Sequence, residues 1–168
     1  MQQPLLEDIM QYENENIVYK FIENFSITYE EAMDIFNEMK KMLYCCYDLR
    51  MRRGKGEVDF IFKIYDPMLI IDEMWHTFIL FTKDYTDFCN KYFGYYLHHN
   101  PTSYKEKQDS EENFKKDKIL FTTSIRRELE EQFSYIYDIL GKDTVTKWYE
   151  LYPEKYSREA IGTLLKKY

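Results

Sequence analysis

The chain has 168 residues and a mass of 20.8 kDa, enough for one domain that buries about 70% of the surface its unfolded form exposes, so a disulfide-stapled miniature scaffold is excluded. Twenty-three Lys and Arg stand against thirty Asp and Glu, a formal charge of -7 that repels phosphate-rich partners and argues against nucleic-acid binding. Four prolines, five glycines and 45% hydrophobic residues describe a globular chain rather than a low-complexity one.

The predicted elements are helices almost throughout. From Pro4 to Phe25, Leu5, Leu6, Ile9, Ile17, Phe21 and Ile22 recur at helical intervals, but Glu13 to Asn16 breaks the stripe, which fits one bent helix or two short ones. Thr28 followed by Glu31 is a capping box, and Ala32, Ile35, Phe36, Met39, Leu43 and Cys46 then share one face of a helix that ends near Arg53. Arg50, Arg52 and Arg53 make that end the most basic spot in the chain, where they complement the negative helix terminus. Val58, Phe60, Phe62 and Ile64 alternate with Asp59 and Lys63 as in a strand, yet no partner strand is visible, so an extended connector packed on helices is expected.

Asp66 and Pro67 announce a helix running to about Phe81, and Thr82 is a capping candidate for a shorter one through Tyr85, Phe88, Cys89, Tyr92 and Phe93, stopped by Gly94. Residues 102–118 mix both charges and are expected to be a mobile polar loop. Ile125, Leu129, Phe133, Ile136 and Leu140 mark a long amphipathic helix ending at Gly141. Two short helices close the chain, the first between Asp143 and Pro153, the second capped by Ser157 and running to the C-terminus. The expected architecture is all-α: a single domain, residues 1–168, folded as an irregular bundle of about six helices.

The densest apolar runs, Met68 to Ile71 and Phe78 to Phe81, fall far below the ~18 residues of a membrane span. Glu7 and Asp8 stand where a secretory signal needs a basic start, and three cysteines give no disulfide framework, so a cytoplasmic protein is expected. Cys45 and Cys46 read as small core fillers, and the 17 tyrosines as core residues rather than a platform for stacked bases.

Chemistry concentrates in one place. His76, His98 and His99 are the only histidines and fall within 24 residues of each other, beside Cys89 and several carboxylates. Asp72 and His76 lie four apart on a predicted helix, a rotation of only about 40°, so both side chains can converge on one point. His98 or His99 could complete a site of one carboxylate and two imidazoles, holding a transition metal such as zinc or iron with a position open to water. Beside this stands the structural reading, in which Asp72 fixes the His76 ring and the cluster ties the helix to residues 98–101; Cys89 is then a buried thiol. Glu73 and His76 have the spacing of di-iron bundles, but a second such pair is missing; the zinc-protease, serine-nucleophile and dinucleotide patterns are missing too.

The run Asp72-Glu73-Met74-Trp75-His76, then Thr82, Tyr85, Phe88-Cys89, Gly94 and His98-His99-Asn100-Pro101-Thr102, resembles the conserved block of glycine-rich domain-containing proteins over residues 66–102. The resemblance implies a helical domain of unassigned activity. Phe78 stands where many members carry a second histidine, and the glycine-rich segment that names the family is absent. Two functions are carried forward. The first is a noncatalytic interaction module with a protein partner, in which Asp72, Trp75, His76 and His98 or His99 form a structural cluster supported by Tyr85 and Cys89. The second is a metal-binding protein or metal-dependent enzyme using Asp72, His76, His98 and His99.

Overall fold

The computed structural model describes residues 5–166; Pro4, the expected start of the first helix, and residues 167–168 lie outside them, and the last helix, expected to run to the C-terminus, ends at Leu164, where Leu165 turns extended. The fold is all-α. In chain order the helices are α1 (Leu6–Met10), α2 (Glu15–Asn24), α3 (Tyr29–Gly54), α4 (Leu69–Leu80), α5 (Thr82–Tyr92), α6 (Tyr104–Lys116), α7 (Lys118–Leu140), α8 (Lys142–Thr146), α9 (Tyr152–Lys155) and α10 (Arg158–Leu164). A 3-10 turn, Asp66–Met68, leads into α4, and a π turn, Lys147–Leu151, joins α8 and α9 into one rod. With that rod taken as one, nine helices stand among the described residues, against the six expected.

The surplus has identifiable causes. The opening stripe resolves into two short helices, because Asn14 accepts from the Asn16 amide and caps α2. Residues 104–116, expected as loop, are helical: Ser103 and Glu106 form a capping box, and the helix carries no buried residue. Its apolar stripe is therefore missing from the sequence, and only the cap betrays it. Thr82 opens α5 as its first residue and caps nothing. Pro153 sits in the first turn of α9, where its missing amide costs little, so the rod passes through it. The extended connector takes the expected form: Val58, Phe60, Phe62 and Ile64 lie half-buried against the core and Asp59, Ile61 and Lys63 are exposed. Gln132 clamps it, accepting from the Lys63 amide at 2.8 Å and donating to the Lys63 carbonyl at 2.9 Å.

Helix α3 is the axis of the body. Its Thr28 and Glu31 capping box forms as the sequence predicts, and Ala32, Ile35, Phe36, Met39, Met42, Leu43 and Cys45 are wholly buried. So are three charged side chains, Glu38, Lys40 and Asp48, each 2% exposed. Isolated buried charges are prohibitively costly, so each must find partners. Glu38 accepts from Trp148 Nε1 at 2.8 Å, Lys147 at 3.0 Å and Lys41 at 2.9 Å. Lys40 donates to the carbonyls of Met10 and Tyr12, both at 2.8 Å. Asp48 accepts from Tyr135 at 2.9 Å and Arg52 at 2.6 Å. Further along α3, Asp34 accepts from Lys147 at 2.5 Å and Tyr152 at 2.8 Å, and Glu31 pairs with Lys155. At the chain's far end, Phe25 and Leu165 form an isolated antiparallel bridge. Among the described residues no helix is long and apolar enough to cross a membrane.

Burial pushes the Lys40 ammonium down to about 8, below the ~10.4 of a lysine in an unfolded chain. Below about pH 8 both states hold the proton; between about 8 and 10.4 only the unfolded chain holds it, so this group makes stability rise with pH in that window. In urea unfolding, the wild type is expected to gain stability relative to Lys40→Met as pH climbs from about 7.5 to 9.5. A difference that stays flat would contradict the buried ammonium.

Candidate functional site

The site is built by α4, α5 and the segment after Gly94, whose φ of +75° lets the chain reverse once α5 ends. On α4, Ile70, Ile71, Met74, Trp75 and Phe78 are buried and hold the helix against the body. Asp72 and His76 flank this face at its solvent edge, with side chains 16% and 46% exposed. Tyr85, Phe88 and Cys89 are the buried face of α5.

An inner, buried layer fastens the returning segment. Trp75 Nε1 donates to the Tyr85 hydroxyl at 3.0 Å, and that hydroxyl donates to the Leu97 carbonyl at 2.6 Å. Tyr85 therefore bridges α4 and the segment, and burial raises its pKa well above that of free tyrosine, so it stays a donor. Phe78 and Tyr96 pack edge-on to the Tyr85 ring at 5.0 and 5.2 Å between centroids. Cys89 is buried here, and burial raises its thiol pKa, which keeps it protonated and inert. Cys46, likewise pushed up to about 12 by burial, is also inert.

The outer layer faces solvent. His99 Nε2 lies 2.8 Å from Asp72 Oδ1, a charge-assisted hydrogen bond, and its ring packs on Trp75 at 4.4 Å and on His76 at 4.6 Å between centroids. His76 places Nε2 at 3.6 Å from Asp72 Oδ2 and Nδ1 at 3.6 Å from Glu73 Oε2. The Glu73 carboxylate raises the His76 pKa and the Asp72 charge adds to it, against a burial effect of opposite sign. Asp72, His76 and His99 each offer one ligand atom within 4.8 Å of the others.

His98 does not join them: it is exposed, with its ring against Tyr96 at 4.8 Å. Leu97 is buried, His98 exposed and His99 half-buried, the alternation of an extended segment, so adjacent imidazoles face opposite ways. Leu97 was the available signal, since an apolar residue two places before a histidine puts both on one side of extended chain. The Leu97 carbonyl is the contributor that sequence reasoning missed, and nothing in the side chains could point to it; Glu73 entered the sequence reading only as half of a di-iron spacing with His76 and was not placed in the site.

Comparison with known proteins finds the UCP032817-like family over residues 25–134, which takes in α3, α4, α5, the whole site, α6 and most of α7. No curated protein and no solved structure matches the chain. This corrects the resemblance to glycine-rich domain-containing proteins: the matching family is a different one and its extent is three times that of the 66–102 block. The chain belongs to the UCP032817-like family.

Proposed function

We propose that the protein is a noncatalytic helical interaction module: a body locked by the Trp75–Tyr85–Leu97 clasp, and an arm of α6 with the first half of α7 that meets a second copy of the chain. The observation that carries this reading is the arm's solvation. From residue 104 to 127 every residue is exposed save the half-buried Phe121, and Tyr104, Phe114, Ile119, Leu120 and Ile125 are large apolar groups in water. Phe114 packs edge-on to Phe121 at 5.7 Å, so the two helices hold each other while their outer apolar surface stays uncovered. An apolar surface of this kind marks an interaction site.

Charge selects the occupant. Residues 104–127 carry seven Lys or Arg against five Asp or Glu, while the whole chain stands at -7. The arm is thus mildly basic on an acidic body, and another copy's body complements it. The balance of charge disfavours nucleic acid, and the three free cysteines suit a reducing compartment such as the cytoplasm.

Two measurements test the two halves of this reading. Tyr85→Phe is expected to lower stability to urea by about 1–3 kcal/mol, because the Trp75 indole and the Leu97 carbonyl both lose a buried partner; an unchanged midpoint would remove the clasp. In sedimentation equilibrium the wild type is expected to form dimers that weaken as salt is added, and Leu120→Glu to remain monomeric. A monomeric wild type, or a variant that dimerises equally well, would remove the arm.

A further inference from the structure

We propose that the outer layer of the clasp is a binding site for a divalent transition metal, with Asp72, His76 and His99 as its protein ligands and Glu73 as the carboxylate that orients His76. The inference goes beyond self-association through the arm and shares no residue with it; it uses the buried clasp only as the scaffold that holds His99 in place.

Spacing is the first argument. Ligands about 2.1 Å from one ion stand roughly 3.0 to 3.4 Å apart in octahedral or tetrahedral geometry. The separations of His99 Nε2 from Asp72 Oδ1, 2.8 Å, and of His76 Nε2 from Asp72 Oδ2, 3.6 Å, bracket that range, each histidine facing its own oxygen of the carboxylate. All three ligand atoms lie within 4.8 Å of one another, and the half-exposed His76 ring is the ligand that draws in as the ion binds.

The unmade hydrogen bond is the second. One proton bridges His99 Nε2 and Asp72 Oδ1 in the free protein and is released to solvent when the ion takes its place, whereas His76 Nε2 and Asp72 Oδ2 face each other at 3.6 Å, beyond hydrogen-bond range. Two lone-pair donors aimed at one region without bonding each other is the arrangement a cation completes. Orientation is the third. Glu73 Oε2 stands 3.6 Å from His76 Nδ1, just outside hydrogen-bond range; its negative charge favours the tautomer with the proton on Nδ1 and leaves Nε2 to ligate, and a slight approach makes it the usual outer support of a metal-bound histidine. The His99 ring is backed by Trp75, and its backbone is pinned two residues upstream through Leu97, so the ligand from the loop is held before any ion arrives.

The donor set chooses the ion. Two imidazoles and one carboxylate suit zinc or another first-row divalent ion, whereas magnesium and calcium want oxygen throughout. Three protein ligands leave at least one position for water or a small anion.

The test uses full-length, tag-free protein stripped with a chelator and titrated with zinc chloride in a calorimeter, with cobalt(II) absorption as a second readout of ligand geometry. One ion per chain is expected. His76→Ala, at a half-exposed position where the fold should survive, is expected to weaken binding about 100-fold or more, and Glu73→Gln about 10-fold. His98→Ala, next to a ligand yet facing away, is expected to bind as the wild type does. A wild type that takes up no zinc overturns the site, as does binding that survives His76→Ala or is lost equally in His98→Ala. None of these outcomes bears on the dimer measurement or on the Tyr85→Phe midpoint, so failure here is separable from failure of the module.

Discussion

Three charged side chains buried on one helix organise this protein. A charge removed from water must be met by partners, and on α3 the partners come from three different parts of the chain. Lys40 takes the carbonyls that end α1, Asp48 takes Tyr135 of α7, and Glu38 takes Lys147 and Trp148 of the C-terminal rod. Apolar burial supplies the driving force for collapse but is nearly indifferent to direction. The polar pins on α3 are directional, so they decide which element lies where around it.

The site follows the same logic at smaller scale. Tyr85 is a single hydroxyl that receives one hydrogen bond and gives another, and through it the buried faces of α4 and the post-Gly94 segment become one unit. At the solvent edge Asp72 holds His99 by a hydrogen bond, the His99 ring packs on Trp75 and His76, and His76 stands 3.6 Å from both Asp72 and Glu73. The inner layer is thus closed by hydrogen bonds and the outer one only in part.

Helices with a buried stripe were legible in the sequence, and so was the meeting of Asp72 with His76, because the 3.6-residue period fixes which side chains share a face. Helix α6 was not, since a helix that buries nothing shows no stripe, and its Ser103 to Glu106 cap is only four residues long. Nor could sequence decide between His98 and His99: that choice depends on the backbone being extended after Gly94, and an extended chain sends neighbours to opposite sides. The pins on α3 were hidden for a different reason. Glu38, Lys40 and Asp48 look like ordinary surface charges until their long-range partners are known, and the nearest of these, the Tyr12 carbonyl, lies 28 residues away.

The rod formed by α8, the π turn and α9 runs antiparallel to α3, with Trp148 opposite Glu38, Tyr152 opposite Asp34 and Lys155 opposite Glu31. Steps of four and three residues on the rod meet steps of four and three on α3, like teeth of equal pitch. Equal pitch invites slippage: shifted by one tooth, Trp148 would find Asp34 and Tyr152 would find Glu31, each still an acceptor. The depth of Glu38 removes that degeneracy, because the shifted alignment strands its carboxylate in the interior with the indole and Lys147 both gone. The phase of the two rods is thus locked by the tooth that sits furthest from water.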